Sequence, residues 1–347
     1  MRVTVDVARV YVEDERLHMQ RSTSPLNRTK AGAAVVIAGL LLTGCASAEA
    51  TPEHVTDEAT TVRVAVQAIA DFAPIWLGLE QGFFTDAGID LQIVEGGASS
   101  AAQIPLLLSK SADIAATTAA AALQASASGL EVKIVAGLTD FATNASADQS
   151  GLLVAVGSDI KGFADLEGKT VAISGLKSVS EAVISAAVDA AGGDSSKVSF
   201  IQGPMPTLGD MVVTGGAQAT FLIDPFLTLA TKSGLEVLGR PFADVAPGVP
   251  GTSLVASTEY AAANPGVIKK FREALKLSAA FANENPDRVN KALSAEAKVP
   301  LEMLEGTTVP KFVSVVDPQR LEVEAAMLRK YGALEGTGDT SNLVVPE

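Results

Sequence analysis

The period of hydrophobic and polar positions changes sharply between residues 62 and 94. Val62, Val64 and Val66 recur at every second position, which predicts a strand with one face buried. From Pro74 the apolar residues recur at helical spacing, and Gly82 then interrupts them. After the turn signal Asp86-Ala87-Gly88, Ile89, Leu91 and Ile93 alternate with Asp90 and Gln92, which predicts a second strand. The stretch reads as one βαβ unit. Ligands of open α/β sheets collect beyond the carboxyl ends of the strands, so Asp71, Phe72 and Trp76 become candidate ligand contacts. The same spacing fits Phe72 and Trp76 as core aromatics.

The alternation continues along the chain. Short helices are predicted over 101–109, where Pro105 should shorten or kink the element, and over 119–128. Strands are predicted over 111–116 and 132–138. The apolar run 151–158 is expected to lead toward a second lobe, followed by strands at 169–174, 198–201 and 219–223 and a helix at 182–191. The strand 252–257 returns to the first lobe, and helices follow from Pro265, Pro286, Pro300 and Pro318, each proline at a tolerated first-turn position. Strands alternating with helices place the chain in the α/β class.

Length makes this two lobes rather than one, because 347 residues exceed the size at which a single core suffices. The expected division is 62–156 with 253–347 as the first lobe and 157–252 as the second. Hydrophobic residues make up 48% of the chain, enough for burial, and the 30 glycines favour close helix-on-sheet packing. Residues 1–44 carry six basic and four acidic side chains, leaving 20 basic and 36 acidic after them, a net of −16 against −14 for the whole. That balance excludes nucleic acid as an expected partner. A small anion remains compatible, because a few backbone N–H groups and one cation can set the potential inside a cleft.

The uncharged run 31–43, preceded by Arg28 and Lys30 and ending at Leu42-Thr43-Gly44-Cys45, is similar to a bacterial lipoprotein signal. It is too short to span a bilayer comfortably. The similarity implies a signal peptide over 1–44, cleavage before Cys45, lipid on its sulfur and an extracytoplasmic, membrane-tethered protein. An uncleaved anchor or a core helix are the alternatives. Asp6, Glu13, Asp14 and Glu15 do not suit the basic start of such a signal, so translation is expected to begin at Met19. Residues 45–61 are acidic and aperiodic and read as a flexible tether.

Further candidate contacts stand where strands run into helices. Ser99 precedes a helix start with free N–H groups, and Thr117 and Thr118 lie between a strand and an Ala-rich helix. Ser178 and Glu181 have capping-box spacing, so Lys177, Ser178 and Ser180 mark a helix N-terminus suited to a polar or anionic group. The plainer alternative has Ser178 only capping and Lys177 solvated. Asp224, before Pro225-Phe226, either accepts hydrogen bonds from a ligand or caps the next helix.

Taken in order, several short motifs resemble one family. They are Ala73-Pro74-Ile75-Trp76, Glu80-Gln81-Gly82-Phe83-Phe84, Ala87-Gly88-Ile89-Asp90-Leu91 and Leu108-Ser109-Lys110-Ser111-Ala112-Asp113-Ile114, followed by Lys133-Ile134-Val135-Ala136-Gly137-Leu138, Asp165-Leu166-Glu167-Gly168-Lys169-Thr170-Val171-Ala172-Ile173 and Asp224-Pro225-Phe226. Over roughly 62–282 the chain resembles the solute-binding proteins of nitrate/sulfonate/taurine-type ABC importers, which share a domain with thiamine-pyrimidine precursor-binding proteins. The resemblance implies a two-lobed type II periplasmic-binding-protein fold closing on its ligand, an ABC permease and its ATPase as partners, a monomer and no cofactor. Such a protein binds an organic sulfonate, nitrate or taurine-like solute, or a pyrimidine-like heterocycle, or acts as a ligand-sensing adaptor for a membrane receptor. Relatives often carry an aromatic just before the acidic residue, where this chain has Ile223.

The residue inventory points away from catalysis. His18 lies in the leader, His54 in the tether, and Cys45 is the lipidation candidate, so the folded part holds no Cys/His nucleophile pair, Ser-His-Asp triad or His-based zinc site. Ser174 and Lys177 match S-x-x-K without convincing partner motifs, and no Walker A sequence occurs.

Overall fold

The computed structural model describes residues 59–97, 100–336 and 340–346. The expected leader, the Cys45 site, Ser99 and nearly all of the tether lie outside the described residues.

The opening unit forms as β1 (Thr60–Val66), a 3₁₀ turn (Ala70–Phe72), α1 (Ala73–Glu80), α2 (Phe83–Asp86) and β2 (Ile89–Glu95). Next come α3 (Ile104–Leu108), β3 (Ile114–Thr118), α4 (Ala119–Ala127), β4 (Val132–Gly137), the short β5 (Thr139–Asp140) and β6 (Ser150–Ala155). Pro105 sits in the first turn of α3, where its missing N–H costs nothing, and the preceding turn is 3₁₀. The middle of the chain supplies β7 (Thr170–Ile173), α5 (Val179–Ala190), β8 (Ser199–Gln202), α6 (Leu208–Val213), β9 (Ala219–Ile223), α7 (Phe226–Lys232), β10 (Leu235–Gly239) and α8 (Pro241–Val245). The last part contains β11 (Thr252–Ser257), α9 (Thr258–Ala263), α10 (Pro265–Glu284), α11 (Pro286–Ala297), β12 (Lys311–Phe312) and α12 (Pro318–Lys330).

The strands assemble into two five-stranded sheets, ordered β2-β1-β3-β11-β4 and β10-β6-β9-β7-β8. β1 pairs in parallel with both β2 and β3, whereas the returning β11 runs antiparallel to β3 and β4. β6 belongs to the second sheet, antiparallel to β9 and β10, so the chain crosses before residue 150 rather than at the 156/157 boundary read from the sequence. Leu152, Leu153 and Val154 are all fully buried; an apolar run of that kind looks the same in either sheet.

The two crossings run side by side as a ribbon. Leu138 N donates to Thr252 O, Gly251 N to Thr139 O and Phe141 N to Val249 O, each at 2.9 Å, and β12 pairs with β5 as a third strand. Gly251 is required at this close approach, since a Cβ there would stand 2.8 Å from Thr139 Oγ1. One hydrophobic cluster includes Ala119, Leu123 and Ile134 of the first half with Leu152, Val171 and Val183 of the second, and Leu321 and Leu328 of α12 complete it. A second cluster, with Phe72, Phe84 and Phe271, fills the other face of the first sheet. Among the described residues no helix is long and apolar enough to cross a membrane.

Candidate functional site

The 3₁₀ turn after β1 carries Asp71 to the crossing ribbon. Thr252 Oγ1 donates to its Oδ2 at 2.5 Å and Thr139 Oγ1 to the same oxygen at 3.2 Å, while Gln149 Nε2 donates to Oδ1 at 3.3 Å. Burial pushes the Asp71 pKa above the usual carboxylate range, and these hydrogen bonds pull partway back. Gln149 does double duty, because its carbonyl accepts from Asp224 N at 2.9 Å. Asp71 and Asp224, 153 positions apart in sequence, thereby share one intermediary.

Asp224 is buried and held by protein donors on both oxygens. Oδ1 accepts from Thr228 N at 3.0 Å and Thr228 Oγ1 at 2.7 Å, which caps α7 in the manner expected of the capping alternative. Oδ2 accepts from Thr308 N at 2.7 Å, in the segment after α11. Lys232 Nζ donates to Glu305 O at 2.9 Å, so this segment is strapped to α7 at a further point. The Asp224–Pro225 peptide is cis, and α7 begins at Phe226.

Lys177 and Ser178 form the start of α5. Ser178 Oγ accepts from Glu181 N at 3.4 Å, while the Glu181 carboxylate reaches one residue further back, to Lys177 N at 2.7 Å. Lys177 takes a left-handed conformation, φ 51°, and its carbonyl accepts from Gln124 Nε2 of α4 at 2.6 Å. Its ammonium is 70% exposed and turned to Glu335 at 3.8 Å, outside the acceptor network. Ser180 is buried within the first turn of α5.

Thr117 Oγ1 donates to Ser100 O at 2.6 Å, and Thr118 Oγ1 accepts from Ala121 N at 3.1 Å as the cap of α4. Phe72 and Trp76 lie in the first-sheet core, 1% and 6% exposed, with rings edge to face at 6.5 Å. Of the two readings of Trp76, its burial matches the core aromatic, since α1 buries every residue from Ala73 to Gly78. Gly78 shows how close the contact is, for a Cβ there would stand 2.2 Å from Ser278 Oγ of α10. The Trp76 indole N–H is buried without an acceptor.

The candidate residues thus separate into those committed within one half (Phe72, Trp76, Thr117, Thr118, Ser178, Ser180) and those bonded across to the other half. The second kind are Asp71 to Gln149, Lys177 to Gln124 and Asp224 to Thr308. Gln149, Gln124, Thr139, Thr252 and Thr308 were not among the residues singled out by sequence. The available signal was a polar side chain at the edge of an apolar run, as at Thr139, Gln149 and Thr252. Beside Gln149 lies a cavity of about 290 Å³, bordered also by Phe141, Ala142, Asn144, Lys311 and Arg320. Arg320 Nη1 stands 3.4 Å from Asp140 Oδ2; burial pushes the Asp140 carboxyl up to about 6 despite that cation.

The family model described as NMT1/THI5 like matches residues 69–289, from the turn that carries Asp71 into α11. The chain belongs to the NMT1/THI5-like family. Solved structures agree on the fold. The periplasmic aliphatic sulphonate binding protein SsuA from Escherichia coli superimposes with TM-score 0.66 at 18% identity, covering 79% of this chain and 92% of that one. The periplasmic nitrate-binding protein NrtA from Synechocystis PCC 6803 gives TM-score 0.68 at 18% identity, over 82% and 84%. The alkanesulfonate-binding protein SsuA from Xanthomonas axonopodis pv. citri bound to MOPS gives 0.66 at 17%, over 83% and 99%. No curated protein sequence matches the chain. The architecture is the two-lobed periplasmic-binding-protein fold, and in this NMT1/THI5-like chain the cross-bonded residues lie between the lobes. The family match stops before Thr308 and Arg320, so the strap on Asp224 and the cation at the ribbon come from outside it.

Proposed function

We propose that this chain is the solute-binding subunit of an ABC importer, held outside the cytoplasmic membrane by lipid on Cys45, and that it hands a small organic solute to a permease driven by a separate ATPase. One observation carries the reading. Asp71, Lys177 and Asp224, each beyond a strand terminus, are all bonded to the opposite half of the molecule. That is how jaws meet in a hinged trap, and two antiparallel crossings, side by side, supply the hinge. A ligand that bonds both halves stabilises the closed form by its differential affinity for it, and closure then marks the protein as loaded. Family membership and the fold shared with sulfonate- and nitrate-binding proteins support the same role.

The resemblance carries two solute classes, an oxyanion of the sulfonate, nitrate or taurine kind and a pyrimidine-like heterocycle. The test begins with the full chain extracted in detergent from its own cells, whose bound small molecules are identified by native mass spectrometry. A thermal-shift panel of both classes follows. A solute that co-purifies and raises the melting temperature supports the reading, whereas an empty protein that no panel member stabilises defeats it. Cys45→Ser is expected to move the protein from the membrane fraction to the soluble extracytoplasmic fraction, and continued membrane retention would remove the lipid anchor from the proposal.

A further inference from the structure

Acceptors outnumber donors where the jaws meet. Asp71 is met only by uncharged donors: Thr252 and Thr139 on Oδ2, Gln149 on Oδ1, and its own backbone N–H. The Gln149 side chain is 6% exposed in this site. Its Nε2 is committed to Asp71, which fixes the amide orientation and leaves Oε1 buried with no donor. A buried acceptor of that kind is unfavourable until something donates to it.

Three of the nearby cations are bonded to other groups. Lys177 faces Glu335, Arg240 donates to the carbonyls of Asp148 and Ser150, and Arg320 is bound to Asp140 and Gly248 O. Lys311 stands opposite Asp140 in the ribbon register and, with Arg320, borders the cavity beside Gln149, on the strand face opposite the one where Thr139 meets Asp71. A sulfonate or nitrate placed directly against the Asp71 oxygens would bring oxygen lone pairs to oxygen lone pairs, since the side chains that donate to them are uncharged.

Resting on the reading that this cleft receives a solute, we infer that the solute binds through a cationic, N–H-bearing head group, an ammonium or amidinium, with Asp71 Oδ1 as its counter-ion and Gln149 Oε1 as its second acceptor. The side chains bonded to Asp71, namely Thr139, Gln149 and Thr252, do not titrate in the working range, whereas Asp140, on the cavity beside Gln149, has its carboxyl pushed up to about 6 and ionises with the same sign. The Asp71 pKa lies above the usual carboxylate value in the free protein, and a bound cation favours the ionised form. Binding therefore releases a proton, and affinity for a cation rises with pH until Asp71 is ionised without help. Affinity for an anion would move the other way.

The experiment uses matched probes on the full chain in detergent: benzamidinium and butylammonium against benzenesulfonate and butanesulfonate, by calorimetry and thermal shift from acidic to neutral pH. A cationic probe is expected to bind and to bind more tightly as pH rises, and Asp71→Asn is expected to weaken it about 10- to 100-fold, the loss of one charge-assisted hydrogen bond. The pH trend on the unmodified chain tests the same point without a variant. If a sulfonate binds instead, and Asp71→Asn leaves or improves its affinity, the head-group assignment falls while the solute-binding reading stands. Silence from both sets also overturns the assignment, and native mass spectrometry then decides separately whether the protein carries any solute.

Discussion

Gln149 Nε2 donates to Asp71 Oδ1 at 3.3 Å, joining the turn after the first strand of one sheet to the residue that leads into the second. The same glutamine's carbonyl receives Asp224 N. Its backbone bond belongs to the second sheet, so at this residue it is the side chain that ties the first sheet to it. Gln149→Leu is expected to leave the fold intact, to cost about 1–2 kcal/mol in denaturant unfolding, and to enlarge the radius of gyration of the unliganded protein in solution scattering. An unchanged scattering profile would show that closure does not depend on this contact.

Asp224 and Thr308 form the other cross-tie, at 2.7 Å. Asp224→Asn keeps the shape but turns a charged acceptor into a neutral one, and Asp224→Ala removes both the α7 cap and the strap. The expected losses are up to about 1 kcal/mol for the first and about 2–3 kcal/mol for the second. Amide hydrogen exchange over 305–308 is expected to speed up in both, and more in the alanine variant. Faster exchange confined to α7 would mean that Asp224 is only a helix cap.

Local signals reached as far as local causes do. Alternation at Ile89, Asp90, Leu91 and Gln92 gave β2 because that strand lies at the sheet edge with one face exposed. Ser178 and Glu181 marked the start of α5 because capping acts over three or four residues. Asp71, Lys177 and Asp224 were visible as polar groups at strand-to-helix junctions. Their partners were not, for Gln149, Gln124 and Thr308 lie 78, 53 and 84 residues away and leave no periodic trace. For Trp76 the pattern left a core role and a ligand contact both open, because α1 is buried on nearly all sides and contains no polar stripe to show which way a given residue points.

Trp76 separates a packing role from a binding role. It is the chain's single tryptophan, edge to face with Phe72 inside the core. Trp76→Ala is expected to cost about 3–5 kcal/mol, the range for emptying a large aromatic site. Trp76→Phe keeps the ring contact and removes an indole N–H that has no acceptor, so its cost is expected to stay near 1–2 kcal/mol. Unfolding followed by circular dichroism checks both. A variant of normal stability that loses solute affinity would return Trp76 to the cleft.

Glu324 sets a pH dependence that is independent of the cleft. It lies on α12, fully buried, and neither carboxyl oxygen has a hydrogen-bond partner. Burial first, and the neighbouring Asp140 charge second, push its pKa well above the ordinary glutamate value of 4.5. Arg320, one turn earlier on α12, is already bound to Asp140. A carboxyl whose folded pKa is raised holds its proton more tightly in the folded state, so its contribution is complete below 4.5 and is lost as pH climbs toward the folded value. Asp140 acts with the same sign between 3.8 and about 6. Stability is therefore expected to fall from mildly acid to mildly alkaline pH, and Glu324→Leu is expected to flatten that fall by about 1–3 kcal/mol while filling the site with apolar volume. Denaturant midpoints measured across that pH range test it. If the two chains keep parallel curves, the Glu324 carboxyl finds a compensating donor in solution and the pH dependence has another source.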